Sequence, residues 1–209
     1  QRFSTHHDEP QRQSHEYLDK HMEYTMRNIE RTRSRIRPAE FEKAVRLLAN
    51  SKGTLYIAGS ATSFGLAYFF YMLATYMRPN VVLLESNPAT LSHKLIDVGP
   101  EDTLLAILHY RFSTQTVEAT QWFAHRKSSI IVISDRELTP VTKHATVQLF
   151  SCSDGSVMFN SRVATLLILA SFMEAKPQVY HSCPAHMPAG DAYENPLYEK
   201  WLSAYDVKH

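Results

Sequence analysis

The segment TLYIAGSATSFG, residues 54–65, joins a short apolar run to a turn of small and hydroxylated residues that leads into a helical pattern. Further β-type runs follow along the chain, at Val81–Glu85, Thr103–Leu108, Ser129–Ile133 and Thr146–Phe150. Helical periodicity fills the longer gaps between these runs, at Phe64–Met77, Ala89–Ile96 and Thr116–Arg126. Because the runs are apolar on both faces, they suit a parallel sheet buried between two helical layers. The alternation predicts an α/β fold with a doubly wound, five-stranded parallel sheet.

Two helices are predicted ahead of the first strand. From Ser14 onward, apolar residues fall on one helical face, at Leu18, Met22, Met26 and Ile29. Pro38 suits the first position of a second helix. Five arginines lie between Arg27 and Arg37. Two interpretations of them stay open: a solvated helix end, where cations suit the helix dipole, or a junction beside a nucleic-acid-binding module.

The region after the last strand is predicted to contain a buried helix and an irregular tail. Val157–Ala175 is apolar nearly all round, which favours a helix buried in its own subunit on one side and against a partner subunit on the other. Prolines interrupt the residues that follow, and a short closing helix is predicted over Asn195–Tyr205. We therefore expect a flexible arm and connector helix over residues 1–37, a single domain over residues 38–176, and an irregular tail over residues 177–209.

The composition excludes several classes of protein. The chain has 209 residues, is 44% apolar, and carries 22 basic and 21 acidic side chains for a net charge of +1. Such a chain can bury a core, and its near-neutral charge does not favour nucleic-acid binding through bulk electrostatics. Its longest apolar stretch, Phe64–Ala74, is too short to span a bilayer, and no charged-then-apolar leader opens the chain. We therefore expect a cytoplasmic protein with no membrane partner.

Metal and disulfide chemistry are not expected. Two cysteines, Cys152 and Cys183, are too few for a disulfide framework or a four-thiolate zinc site. His181, Cys183 and His186 lie near Asp191, but no second pair completes a tetrahedral ligand set. The sequence therefore predicts neither a metal site nor a cofactor.

Hydroxyl-bearing residues concentrate where the predicted strands end. Ligands of an open parallel sheet bind beyond the carboxyl ends of its strands, at the switch point in strand order. The predicted phosphate-binding residues at these ends are Gly59, Ser60, Thr62 and Ser63 after the first strand, Arg111, Ser113 and Thr116 after the third, and Ser134 at the end of the fourth. Serine and threonine at a helix start are either ordinary caps or donors to an anion at the helix N-terminus. Three such strand ends together favour a convergent anion pocket. The first loop matches neither the dinucleotide fingerprint nor the Walker loop.

The order of these segments resembles a known family. Residues 111–113 and 116–118 read RFS and TVE, and they resemble the RYSxxTVE-like segment of RpiR-type transcription regulators, whose effector domain is a sugar isomerase (SIS) domain. Residues 133–135 (ISD) and 159–161 (FNS) resemble two later segments of the same domain, in the same order. The likeness covers the chain from about Pro38 to Ala175.

The resemblance implies a flavodoxin-like SIS domain over residues 38–176, a dimer or tetramer formed through helices, and a phosphosugar ligand. If the phosphate contacts of the family are transferred to the matching positions of this sequence, Ser63 and Ser113 would bind the phosphate group, assisted by Thr116 and the amides of the first loop. Ala61 stands where many such regulators have Arg. The regulators carry a helix-turn-helix domain ahead of the sensor. We expect that domain to be absent from this chain, and DNA to be a partner only through it.

The sequence leaves two alternative functions from different classes. The resemblance favours a phosphosugar-binding, ligand-sensing domain of a transcription regulator, which binds without turnover. The alternative is an aldose–ketose isomerase of sugar phosphates, which needs a carboxylate base and a group for ring opening. His93 and Glu118 are its candidate catalytic residues, and Glu85 and His109 are also expected near the pocket. No carboxylate–histidine pair stands out by spacing, so no catalytic residue is assigned. A plainer third possibility is a SIS fold that serves only for dimerisation.

Overall fold

The computed structural model describes residues 14–50, 52–85, 87–155 and 159–175. Its sheet is entirely parallel, with the strand order β2-β1-β3-β4-β5. The strands are β1 (Leu55–Gly59), β2 (Val81–Leu84), β3 (Thr103–Leu108), β4 (Ser129–Ser134) and β5 (Val147–Phe150). The order reverses at β1, which pairs with β2 on one side and β3 on the other. The predicted doubly wound, flavodoxin-like α/β fold is therefore confirmed.

Helices precede the sheet and connect its strands. They are α1 (Ser14–Arg35), α2 (Pro38–Leu48), α3 (Thr62–Met77), α4 (Pro88–Leu95), α5 (Thr114–His125) and α6 (Val163–Glu174), with a 3₁₀ turn at Thr142–His144. Pro38 occupies the start of α2, where its missing amide hydrogen has no intrahelical partner to lose.

The sheet separates two apolar cores. Leu105 and Ile107 of β3 pack on one side with α2, α3 and α6, where Phe70 and Phe172 are fully buried. Leu104, Ala106 and Leu108 pack on the other side with α4 and α5 around Phe123. Because β1 and β3 are buried along their whole length, neither strand shows an alternation of apolar and polar residues.

Helix α1 lies against the segment that follows β5. The amide of Cys152 donates to Thr32 Oγ1 over 2.8 Å, and Asn28 Nδ2 donates to the carbonyl of Asp154 over 2.7 Å. Arg31 pairs with Asp154 at the edge of this contact. Arg35 lies 3.4 Å from Glu137 and 4.5 Å above the ring of Phe150. Arginines of the predicted basic cluster therefore attach α1 to the domain.

One predicted helix boundary is wrong. The apolar pattern predicts a helix from Val157, whereas α6 begins at Val163, and the described residues 159–162 before it are not helical. Polar side chains in this segment bond locally: Ser161 Oγ accepts from the Val163 amide at 3.4 Å and contacts Thr25 of α1 at 3.1 Å. Such side-chain bonds compete with helix continuation, so the helix starts later than hydrophobicity alone predicts.

Several predictions concern residues outside the described ranges. These are the flexible arm before Ser14, the tail after Ala175 with its closing helix, and the group formed by His181, Cys183 and His186. Within the described ranges, no helix combines the length and apolar character needed to cross a bilayer.

Candidate functional site

The carboxyl ends of β1 and β3 lie side by side at the switch point of the sheet. β1 pairs with β3 through Gly59 and Ile107, and the helices that follow these two strands cover opposite faces. A crevice between the following loops is where this architecture binds ligands. The candidate site is therefore the pair of loops at residues 59–61 and 109–113, with the first turns of α3 and α5.

A direct contact joins the two loops. Ser60 Oγ lies 3.0 Å from Thr116 Oγ1, so a hydroxyl from the first loop meets one from the first turn of α5. Thr116 is buried and Ser60 is half-buried. The structure thus brings together residues that the sequence assigned to separate strand ends.

The hydroxyls here do not behave as ordinary helix caps. The N-cap residues of α3 and α5 are Ala61 and Ser113, and neither makes a side-chain capping bond. The first amides of each helix have no carbonyl partner within that helix, and both N-termini carry partial positive charge. Half-buried Ser113 therefore presents its hydroxyl beside a helix N-terminus without capping it.

The first loop is tightly constrained. A Cβ placed on Gly59 would lie 2.6 Å from the Ser63 carbonyl oxygen, so only glycine lets α3 approach β1 this closely. The next turn residue, Ala61, has φ 51° and ψ −123°, a conformation that favours glycine. Backbone strain is therefore held at the point where α3 begins.

A series of hydrogen-bonded, buried polar side chains runs from the first turn of α3 into the protein. Ser63 Oγ lies 2.9 Å from His109 Nδ1, and His109 Nε2 lies 2.9 Å from Thr165 Oγ1. Thr165 Oγ1 in turn lies 2.8 Å from Ser151 Oγ. All four residues are at most 5% exposed, so water does not compete for these bonds. This series of hydroxyls and one imidazole links the first turn of α3, the residues that directly follow β3 and β5, and helix α6.

His109 is uncharged at neutral pH. Burial lowers the pKa of its imidazole to about 4, and the positive charge of Arg162 adds to that effect, while Asp135 opposes it. A neutral imidazole has one donor nitrogen and one acceptor nitrogen, and both are occupied here by hydroxyls.

A buried carboxylate holds the neighbouring loops. Asp135 accepts from the Tyr110 amide at 2.8 Å and from Ser153 Oγ at 2.7 Å. Arg162 Nη1 lies 3.8 Å from this carboxylate, and it is buried without a hydrogen-bond partner among the described residues. Burial lowers the pKa of the Arg162 guanidinium, and the Asp135 charge partly offsets the loss of solvation.

The remaining predicted ligand residues differ in accessibility. Thr62 and Arg111 are exposed. Ser134 is fully buried, and its hydroxyl accepts from the Arg136 amide at 3.2 Å, which stabilises the turn after β4. Contact of any of these residues with a ligand stays a prediction.

The residues assigned to the isomerase alternative lie on different helices. His93 is exposed on α4 and Glu118 is exposed on α5. Glu85 pairs with Lys94 at 3.6 Å. His109, directly after β3, contacts hydroxyls rather than a carboxylate.

Sequence reasoning missed Ser151, Thr165 and Arg162. The signal for Thr165 was a single hydroxyl within the apolar run ATLLILA, and the signal for Ser151 was its position directly after β5. Neither could be connected to His109 without knowing how α6 packs.

An all-parallel, doubly wound sheet with hydroxyl side chains and two helix N-termini at its switch point defines the class of this α/β domain. The SIS domain family model matches residues 47–175. The chain therefore belongs to the SIS domain family. A sequence search of curated proteins gave no significant match.

Solved structures with this fold include regulators and enzymes. The sugar isomerase domain of an RpiR transcription factor from Sphaerobacter thermophilus matches with a TM-score of 0.70 at 18% identity, over 76% of this chain and 87% of that one. Vibrio vulnificus NanR complexed with ManNAc-6P has a TM-score of 0.64 at 13% identity, over 91% of this chain and 69% of that one. Phosphoheptose isomerase GmhA from Neisseria gonorrhoeae has a TM-score of 0.65 at 16% identity, over 78% of this chain and 98% of that one.

Proposed function

We propose that this chain is the phosphosugar-binding, ligand-sensing domain of an RpiR-type transcription regulator. The ligand's phosphate binds at the switch point between β1 and β3. Ligand binding changes the relative orientation of the subunits, and the ligand is not converted to a product. DNA is contacted only through a helix-turn-helix domain outside this chain, and the protein acts in the cytoplasm.

The contact between Ser60 and Thr116 carries this proposal. It places hydroxyl groups from two βα corners within one hydrogen-bond length, at the N-termini of two helices. A phosphate dianion is stabilised by such hydroxyls, by the first helical amides and by the helix dipoles. Ser63 and Ser113 supply further donors, and the exposed Arg111 adds a positive charge at the rim.

The similar structures support a sugar phosphate as the ligand class. NanR was solved with ManNAc-6P, and the RpiR factor and GmhA share the SIS fold. Membership in the family supports the same ligand chemistry in this chain.

Binding without turnover is favoured over isomerisation. Proton transfer between two sugar carbons needs a base within hydrogen-bond reach of the reacting carbon, commonly a carboxylate. His109 has both ring nitrogens occupied by hydroxyls, and exposed Glu118 and His93 lie on separate helices. An isomerase of this fold is the second candidate because GmhA shares the architecture.

A homo-oligomer is part of the proposal. The side chains of Tyr68 and Met72 on α3 are 50% and 41% exposed, and Leu167 on α6 is 48% exposed. Apolar faces of this kind are typical of subunit contacts. Light scattering of the intact chain is expected to give the mass of a dimer or tetramer, whereas a monomer would contradict this part of the proposal.

Thermal denaturation with a panel of pentose, hexose and heptose phosphates tests the ligand class. A ligand that binds only the native state raises the melting temperature by mass action. We expect at least one sugar phosphate to raise the melting temperature and the corresponding unphosphorylated sugar to leave it unchanged. Chromatography of the same mixtures distinguishes the two candidate functions, because an isomerase converts its ligand and a sensor returns it unchanged. No stabilisation by any member of the panel would reject the proposal.

A further inference from the structure

We infer that His109 is a positioning residue, which acts through Ser63 and leaves the Ser63 hydroxyl proton available to the bound anion. The inference rests on the proposed function, because it assigns a direction to hydrogen bonds at that same site. It starts from the buried chain of Ser63, His109, Thr165 and Ser151.

Two arrangements of protons fit the observed distances. In the first, the His109 Nδ1 hydrogen is donated to Ser63 Oγ, and Nε2 accepts from the Thr165 hydroxyl. In the second, the Ser63 hydroxyl donates to Nδ1, and Nε2 donates to Thr165. A neutral imidazole allows either arrangement, because one ring nitrogen donates while the other accepts.

Only the first arrangement suits an anion at Ser63. A serine hydroxyl has one proton, so a Ser63 hydroxyl that donates to the ring has none left for a phosphate oxygen. When the ring donates instead, Ser63 accepts from His109 and points its own proton away from the ring. An anion beside Ser63 therefore selects the tautomer of His109 with the proton on Nδ1.

Thr165 and Ser151, at the buried end of this series of hydrogen bonds, can donate in the direction that the first arrangement requires. Thr165 must then donate to Nε2, and its oxygen accepts from the Ser151 hydroxyl 2.8 Å away. All donors in the chain point toward the crevice, and each bond polarises the next. Because the four side chains are at most 5% exposed, solvent does not supply an alternative partner.

Nitrogen NMR of the intact, ¹⁵N-histidine-labelled chain during titration with inorganic phosphate tests the direction of the bonds. The His109→Leu variant identifies the His109 signals. We expect the phosphate-bound protein to carry the ring proton on Nδ1. A proton on Nε2 in the bound state would overturn the inference, since Ser63 would then be donating to the ring.

A double-mutant cycle tests whether His109 acts through Ser63. We expect His109→Leu and Ser63→Ala each to weaken phosphate binding roughly tenfold, and the double variant to bind no more weakly than either one. His109→Asn, whose amide can place an N–H near the position of Nδ1, should restore most of the affinity. Additive losses, or equal losses for the Leu and Asn variants, would overturn the inference.

Control measurements separate the two proposals. Thr103→Val alters a side chain of similar burial at the opposite end of β3, and it should bind phosphate as the wild type does. If the wild type binds phosphate but the cycle is additive, the inference alone fails. If the wild type binds neither phosphate nor any sugar phosphate, the proposed function fails and the inference with it.

Discussion

Ser60 and Thr116 lie 56 positions apart in the chain, yet their hydroxyl oxygens are 3.0 Å apart. The contact exists because β1 and β3 are neighbours in the sheet although β2 separates them in sequence. Ser60 lies two residues before the start of α3, and Thr116 lies in the first turn of α5, so both are beside a helix N-terminus, where the backbone favours negative charge. The pair therefore marks the centre of the proposed phosphate site.

Removing either hydroxyl should weaken sugar-phosphate binding. Hydrogen bonds to charged groups contribute about 1.5–3 kcal/mol, so Ser60→Ala and Thr116→Val should each reduce affinity by roughly 10- to 100-fold. Isothermal titration with the stabilising sugar phosphate measures the change. Ser171→Ala is the control, because its hydroxyl bonds to the Leu167 carbonyl within α6. Unchanged affinity in both site variants would contradict the assignment.

Two glycine substitutions should act in opposite directions. Gly59→Ala places a Cβ 2.6 Å from the Ser63 carbonyl oxygen, and relieving that clash should cost about 1–3 kcal/mol of stability. Gly65 lies in α3, and a Cβ added there would meet no atom within 4 Å, so Gly65→Ala should stabilise by about 0.5–1 kcal/mol. Urea denaturation of the two variants measures both effects. Equal effects would show that the approach of α3 to β1 is not tight.

Replacing Ala61 with glycine should increase the stability of the folded protein. Its φ of 51° with ψ −123° is unfavourable for any residue with a Cβ, and such strain costs on the order of 1–3 kcal/mol. Glycine also makes the unfolded chain more flexible, so the expected net stabilisation of Ala61→Gly is about 1 kcal/mol. Ala61→Val, with its branched Cβ, should destabilise. A thermal shift series across the three residues measures the order, and a valine variant as stable as the wild type would argue against strain.

Stability should fall as the pH drops below neutrality because of His109. Its pKa is lowered from an ordinary 6.5 to about 4 in the folded protein, so the unfolded chain binds more protons between these values. The contribution is complete above about pH 6.5 and declines by up to about 1.4 kcal/mol per pH unit as the pH falls toward 4. Urea denaturation across this range measures it. His109→Leu should show a shallower decline, whereas His93→Gln, at an exposed position, should follow the wild type.

The attachment of α1 should depend more on Thr32 than on Arg31. Thr32→Val leaves the buried Cys152 amide without its acceptor, which should cost about 1–3 kcal/mol. The ion pair between Arg31 and Asp154 is half exposed, so Arg31→Ala should cost at most about 1 kcal/mol. Hydrogen exchange of the α1 amides measures the attachment. Greater exchange in the arginine variant would reverse this ranking.

The fold could be predicted because its determinants are local. The apolar runs at β3 and β4 are long enough to be strands buried on both faces, and the helical patterns between the strands leave few other topologies. The start of α6 could not be predicted, because Ser161 bonds to Thr25 of α1 and to the Val163 amide. Hydrophobicity carries no information about such contacts.

The candidate site could be predicted only in part. The rule that ligands bind at strand ends locates Ser60, Ser63 and Ser113 from sequence alone. The partners of His109 depend on where α6 crosses the sheet, and the orientation of the arginines on α1 depends on which face packs inward. Spacing along one chain does not encode distances between elements that lie far apart in sequence.

Ser151 and Cys152 are consecutive residues that serve different neighbours. The Ser151 hydroxyl ends the chain that begins at Ser63, while the Cys152 amide bonds to Thr32 in the first described helix. A single peptide unit therefore connects the buried end of this hydrogen-bond series to the bond that holds α1 against the domain. Four hydrogen-bonded side chains and this peptide unit therefore form a continuous path from the start of α3, where the headgroup would sit, to the residue that holds α1.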